Sequence, residues 1–252
     1  MAGSRREQFS KVPEVTLLFW IIKIAATTLG ETGGDAVSMS MNLGYLVSTA
    51  IFGAVFLILV IIQIRATQFH PLLFWSTIIA TTTLGTTLAD FADRSLGIGY
   101  PGGTSILIIL LVSSLIIWHQ SLGSISVNTV VSPAAEWFYW MTIMFSQTLG
   151  TALGDWAADS VGIGYGGSAV LFCAVLAVVC VLYYWTSISR TVLFWVAFVL
   201  TRPLGAVVGD FLDKPLSAGG LAFSRYAASL VLLAFIVACI LLVAQRPAKE
   251  AH

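Results

Sequence analysis

The chain has 252 residues, of which 58% are hydrophobic and 10% charged, and its formal net charge is zero. A soluble domain carries about 25% charged residues, so this composition excludes a water-soluble globule and gives no reason to expect a nucleic-acid partner. Cys173, Cys180 and Cys239 are odd in number, lie in apolar runs and form no CxxC pair, which argues against a disulfide framework or a thiolate metal site.

The chain begins MAGSRREQFSKVPE. This stretch has no apolar core ending in a small-residue cleavage site, so residues 1–12 are expected to be a polar tail. Eight apolar runs follow, at 13–34, 43–65, 71–92, 102–120, 134–156, 165–187, 190–211 and 221–244. Each approaches the roughly 20 residues a membrane-spanning helix needs, and such lengths are too great for barrel strands. Residues 13–245 therefore read as one all-α integral membrane domain, and 246–252 as a second tail. The even-numbered runs are almost pure Leu, Ile, Val and Ala, and the odd-numbered ones carry the polar residues. Arg5, Arg6, Lys11, Arg65, Arg190, Arg246 and Lys249 fall on the side of the termini, against Arg94, Lys214 and Arg225 on the other. That bias predicts cytoplasmic termini.

The odd runs share a repeated pattern, W-x8-L-G-x4-D-x8-G. Its copies are Trp20/Leu29/Gly30/Asp35/Gly44, Trp75/Leu84/Gly85/Asp90/Gly99, Trp140/Leu149/Gly150/Asp155/Gly164 and Trp195/Leu204/Gly205/Asp210/Gly219. Phe19, Phe74, Tyr139 and Phe194 precede the tryptophans. Each copy heads a pair of spans, at about 13–65, 71–120, 134–187 and 190–244. Two spans return the chain to its starting side, so the expectation is four parallel helical-hairpin repeats in a pseudo-four-fold, two-plus-two bundle. The tryptophans are expected to anchor an interface, and Gly99–Tyr100–Pro101 and Gly164–Tyr165–Gly166 to turn the chain into the next helix.

Residues four apart share a helix face. The odd helices then present Lys23, Thr27, Glu31, Asp35; Ile78, Thr82, Thr86, Asp90; Ile143, Gln147, Thr151, Asp155; and Phe198, Arg202, Ala206, Asp210. Beside these stripes run small pairs, Gly30/Gly34, Gly85/Ala89, Gly150/Gly154 and Gly205/Gly209, which let helix backbones approach closely. The stripes are expected to face a shared centre, with the even helices towards lipid. Glu31, Asp35, Asp90, Asp155 and Asp210 are candidate cation or metal ligands, with Thr27, Thr82, Thr86, Gln147 and Thr151 as neutral oxygen ligands and Lys23 and Arg202 as counter-charges. Intramembrane carboxylates point to function, and oxygen-rich sites suit hard cations. Against this stands a structural reading in which the aspartates only cap helix ends.

Four copies of FW-x8-LG-x4-D, each heading two helices, resemble a bacterial integral membrane family known as a four-fold repeat of unknown function, whose members are labelled membrane-anchored proteins. The resemblance covers about residues 13–245 and implies an inner-membrane protein with no settled activity. Glu31–Asp35 is also similar to the E-x-G-D motif of Gdt-type manganese/calcium exchangers, with one extra residue and no basic-hydroxyl pair after the aspartate. The expectation is a secondary transporter for a small cation, needing no cofactor. A passive channel or a non-transporting scaffold or sensor is the alternative, self-association stays open, and no catalytic constellation suggests an enzyme.

Overall fold

A computed structural model of the chain describes residues 10–248. Eight α-helices form it: α1 (Leu17–Asp35), α2 (Gly44–Arg65), α3 (Pro71–Asp90), α4 (Gly99–Leu122), α5 (Pro133–Asp155), α6 (Gly164–Trp185), α7 (Arg190–Asp213) and α8 (Arg225–Leu242). Local chemistry sets their starts. The Thr16, Ser132 and Ser224 side chains accept from the amides of Phe19, Ala135 and Ala227, and Pro71 and Pro133 open helices where no amide hydrogen is needed. In the first three repeats the odd helix does not stop at its aspartate. It runs on through a π-helical turn, at Ala36–Ser40, Phe91–Ser95 and Trp156–Ser160. Gly44, Gly99 and Gly164, the last glycines of the repeat, then take positive φ, a conformation that costs glycine little, and the chain turns into the even helix, as expected at Gly99 and Gly164. The fourth repeat replaces the π turn with a longer α7 and a 3-10 turn at Leu216–Ala218.

The four odd helices form a closed inner ring in which α1 packs on α3, α3 on α5, α5 on α7, and α7 on α1. The even helices lie outside it. Each even helix packs chiefly on the odd helix that follows it: α2 on α3, α4 on α5, α6 on α7, and α8 on α1. The expected hairpin is thus a connection between helices, while the packing unit is offset by half a repeat. The offset makes α8 close the ring onto α1. The two ends of the described stretch meet beside that joint, where the Glu14 amide donates to the Arg246 carbonyl at 2.9 Å and the Ala248 amide to the Val12 carbonyl at 2.8 Å.

The glycine spacing explains the ring. A Cβ on Gly30 would strike Thr82, one on Gly85 would strike Gln147, one on Gly150 would strike Arg202, and one on Gly205 would strike Thr27. Each inner helix therefore seats a stripe residue of the next against its own bare backbone, the close approach that small-xxx-small pairs permit.

The tryptophan expectation needs correction. Trp75, Trp140 and Trp195 are buried and form a layer of rings that closes one end of the bundle. Phe19 meets Trp75 at 5.4 Å, Phe74 meets Trp140 at 5.7 Å, Tyr139 meets Trp195 at 6.2 Å, and Trp20 meets Phe194 at 5.8 Å. The indoles of Trp75 and Trp195 donate to Gln245 and to the Ile125 carbonyl, so burial leaves these two donors satisfied. Ring packing against the next helix wins over interface anchoring because the aromatic pair projects sideways around the ring.

Six of the helices, α2, α3, α4, α6, α7 and α8, are long and apolar enough to cross a membrane. The outer helices expose much of their apolar surface. Lys11, assigned to the N-terminal tail in the sequence reading, is buried. Its ammonium lies 2.5 Å from Glu136 and donates to the carbonyls of Gln63, Ile64 and Ala66 at the end of α2. Arg5, Arg6 and Lys249 lie outside the described residues.

Candidate functional site

The stripes stack as layers along the ring axis. Nearest the aromatic end lie Lys23, Ile78, Ile143 and Phe198, all buried. Next come Thr27, Thr82, Gln147 and Arg202, then Glu31, Thr86, Thr151 and Ala206, then the four aspartates. All of these are buried.

Arg202 touches the other three inner helices. Its guanidinium lies 3.0 Å from Glu31 of α1, donates to Thr86 of α3 and Thr151 of α5, each at 2.6 Å, and reaches the backbone carbonyls of Thr27 and Thr82. A planar fork of donors suits such multi-helix contact. Arg202 therefore fills the axis at mid-bundle, and Glu31 is its counter-ion. Thr86 and Thr151, expected as cation ligands, serve as acceptors for this guanidinium. Thr27 donates to the Ile24 and Thr201 carbonyls. The Thr82 hydroxyl and both polar atoms of the Gln147 side chain find no partner among the described residues.

Lys23 behaves differently from its expected role. Its ammonium meets no carboxylate among the described residues. It lies 3.5 Å from the Thr201 hydroxyl and 4.1 Å from the centre of the Phe198 ring.

The aspartates form two pairs, each bridged by a base that lies in the connection after its repeat's aspartate. Arg94 lies 3.0 Å from Asp90 and 3.1 Å from Asp155. Lys214 lies 2.7 Å from Asp35 and 3.0 Å from Asp210. Arg225 sits 3.6 Å from Asp35 and 3.0 Å from Asp213. A signal was present, since Arg94 and Lys214 follow Asp90 and Asp210 by four residues and continue the stripe by one step. Burial lowers the pKa of Lys214, but the Asp210 and Asp35 carboxylates more than reverse this and raise it above the ordinary lysine value. The capping alternative is not what the geometry presents. Asp35, Asp90 and Asp155 cap no amide at the following π turn, and their carboxylates face these bases.

One carboxylate group stands out. Oxygens of Glu31, Asp35 and Asp210 lie within 4.8 Å of one another, and all three residues are buried. Asp35 Oδ1 has no hydrogen-bond donor among the described residues, while Asp210 Oδ1 has the Lys214 ammonium 3.0 Å away. The three residues come from two neighbouring helices, α1 and α7, and form a cup at the end of the bundle opposite the aromatic layer. Carboxylate oxygens at this spacing have the hardness to coordinate a hard cation.

The fold and this site define an all-helical four-repeat bundle with a charged core and an apolar outer shell. The chain belongs to the family described as Repeat of Unknown Function (DUF347), which matches it four times, at residues 18–69, 73–123, 138–189 and 193–246. No curated protein and no solved structure matches it.

Proposed function

We propose that the bundle spans a lipid bilayer as four parallel repeats and carries a cation bound in the Glu31, Asp35 and Asp210 cup. The apolar faces of α2, α4, α6 and α8 support the bilayer as solvent, because so much contiguous apolar surface is rare on soluble monomers. The observation that carries the cation reading is the convergence of three buried carboxylates, with Asp35 Oδ1 left without a donor among the described residues. Lys214 acts as a tethered cation that holds the cup when it is empty, and the substrate displaces it. Arg202 on the axis favours a carrier over an open pore, since a fixed buried charge with five donors obstructs a file of cations. The distribution of basic residues supports cytoplasmic termini, and the resemblance supports a bacterial inner membrane as the location.

The test is the melting temperature of purified protein against sodium, potassium, magnesium, calcium and manganese. A ligand bound only by the folded state raises the melting temperature with its concentration. The expected result is a cation-specific rise that disappears when Asp35→Asn and Asp210→Asn are combined, with flux of the same cation into proteoliposomes. A stable double variant with no cation response in either protein would instead favour the scaffold reading.

A further inference from the structure

The repeats are near-copies, so a place where one copy departs from the others is informative. Gln63 of α2, Trp118 of α4 and Tyr183 of α6 occupy the same position, 19 residues after the last glycine of their repeats. Gln63 and Trp118 are buried. Trp118 seats itself in the seam between α5 and α7, 6.3 Å from Tyr139 and 5.8 Å from Trp195. Tyr183 stands outside, 46% exposed, with the guanidinium of Arg190 4.3 Å over its ring. The equivalent seat, between Phe194 of α7 and Trp20 of α1, lines a cavity of about 720 Å³.

This cavity runs down the α1, α6 and α7 seam, with Glu14 and Arg190 at its mouth. Trp20, Ile24, Leu176, Cys180 and Phe194 make an apolar wall, and Thr201 also lines the cavity. Arg190 and Thr201 are eleven residues apart on α7, or about 16 Å of helix. Beyond Thr201 stands the Lys23 ammonium, 3.5 Å from the threonine hydroxyl. A buried ammonium without a counter-ion is costly. Arg202 has Glu31, whereas the Lys23 amine meets only the Thr201 hydroxyl and the Phe198 ring and no carboxylate among the described residues.

We infer that this seam is a side-entry binding site for a single-chain carboxylate amphiphile of medium length. Its chain takes the place that Trp118 fills in the neighbouring seam. Its carboxylate sits at Thr201 and supplies the counter-charge that Lys23 lacks. The site lies at the aromatic end, away from the carboxylate cup, and does not rest on the cation reading. Tyr183 is its outer wall, held open by Arg190.

The experiment is equilibrium binding of isotope-labelled decanoate to the full chain in nanodiscs, read against empty nanodiscs, with unlabelled decanoate and decanol as competitors. The expected result is saturable binding of about one decanoate per chain, with decanol at least about tenfold weaker, because a charge-assisted hydrogen bond is lost. Lys23→Met should weaken binding by at least about the same factor. Ala197→Phe, which fills the groove while leaving Lys23 intact, should weaken it too and decides the matter if Lys23→Met does not fold. Binding no greater than in empty nanodiscs overturns the inference. So does decanol competing as well as decanoate, or wild-type affinity in the folded variants.

Discussion

The guanidinium of Arg202 lies 3.0 Å from the Glu31 carboxylate across the seam between α7 and α1, and both residues are buried. The two lie on the last and first inner helices, so this pair ties the ends of the chain together at the axis as α8 does at the periphery. Only one of the four repeats supplies a base here, and only one supplies an acid. The ring is four-fold in backbone and two-sided in charge.

Removing one partner of a buried pair leaves the other unmatched. Arg202→Met is expected to cost about 3–5 kcal/mol, measured by denaturant or thermal unfolding in detergent. Combining it with Glu31→Gln should recover much of that loss, since an apolar or neutral replacement of both members is often tolerated. Wild-type stability in the single variant would contradict the role given to Arg202.

The tryptophan layer makes an opposite prediction from interface anchoring. Trp75→Ala removes a buried ring and should cost about 3–5 kcal/mol. Trp185, 76% exposed on α6, should tolerate alanine within about 0.5 kcal/mol. Equal effects at the two positions, in the same unfolding assay, would argue for anchoring after all.

Close helix approach separates glycines that look alike in the sequence. A Cβ on Gly85 would lie 2.9 Å from the backbone of Gln147 and Thr148, which has nowhere to move, so Gly85→Ala should destabilise by about 1–3 kcal/mol. Gly33 has nothing nearer than 3.9 Å. Gly33→Ala should be neutral or stabilising by up to about 1 kcal/mol, through helix propensity alone. Thermal unfolding of the two variants side by side checks the ring's register.

If Lys214 competes with the substrate for Asp35 and Asp210, its removal should tighten cation binding. Lys214→Gln is expected to shift the cation dependence of the melting temperature to concentrations lower by about tenfold, the size of one charge-assisted contact. An unchanged or weaker cation response would show that Lys214 helps to build the site and does not compete for it.

Much of this architecture was legible in the chain itself. Composition set the all-helical class. The recurrence of tryptophan, the Leu-Gly pair, aspartate and the final glycine set four repeats, and period-four spacing placed Thr27, Thr82, Gln147 and Arg202 at one level. Those features are local, governed by helix geometry and by the positive φ that the last glycine tolerates. The tertiary structure decided what happens between helices. It paired α2 with α3 instead of α1, turned Trp75, Trp140 and Trp195 inward, and split the four aspartates into two bridged pairs. It also gave Arg202 to Glu31 while leaving Lys23 without a carboxylate among the described residues. Pairing depends on which side chains meet across the ring, at distances of 2.7–3.1 Å for the main bridges. A repeat makes the four helices nearly equivalent on paper, and only packing determines which neighbour each charge finds.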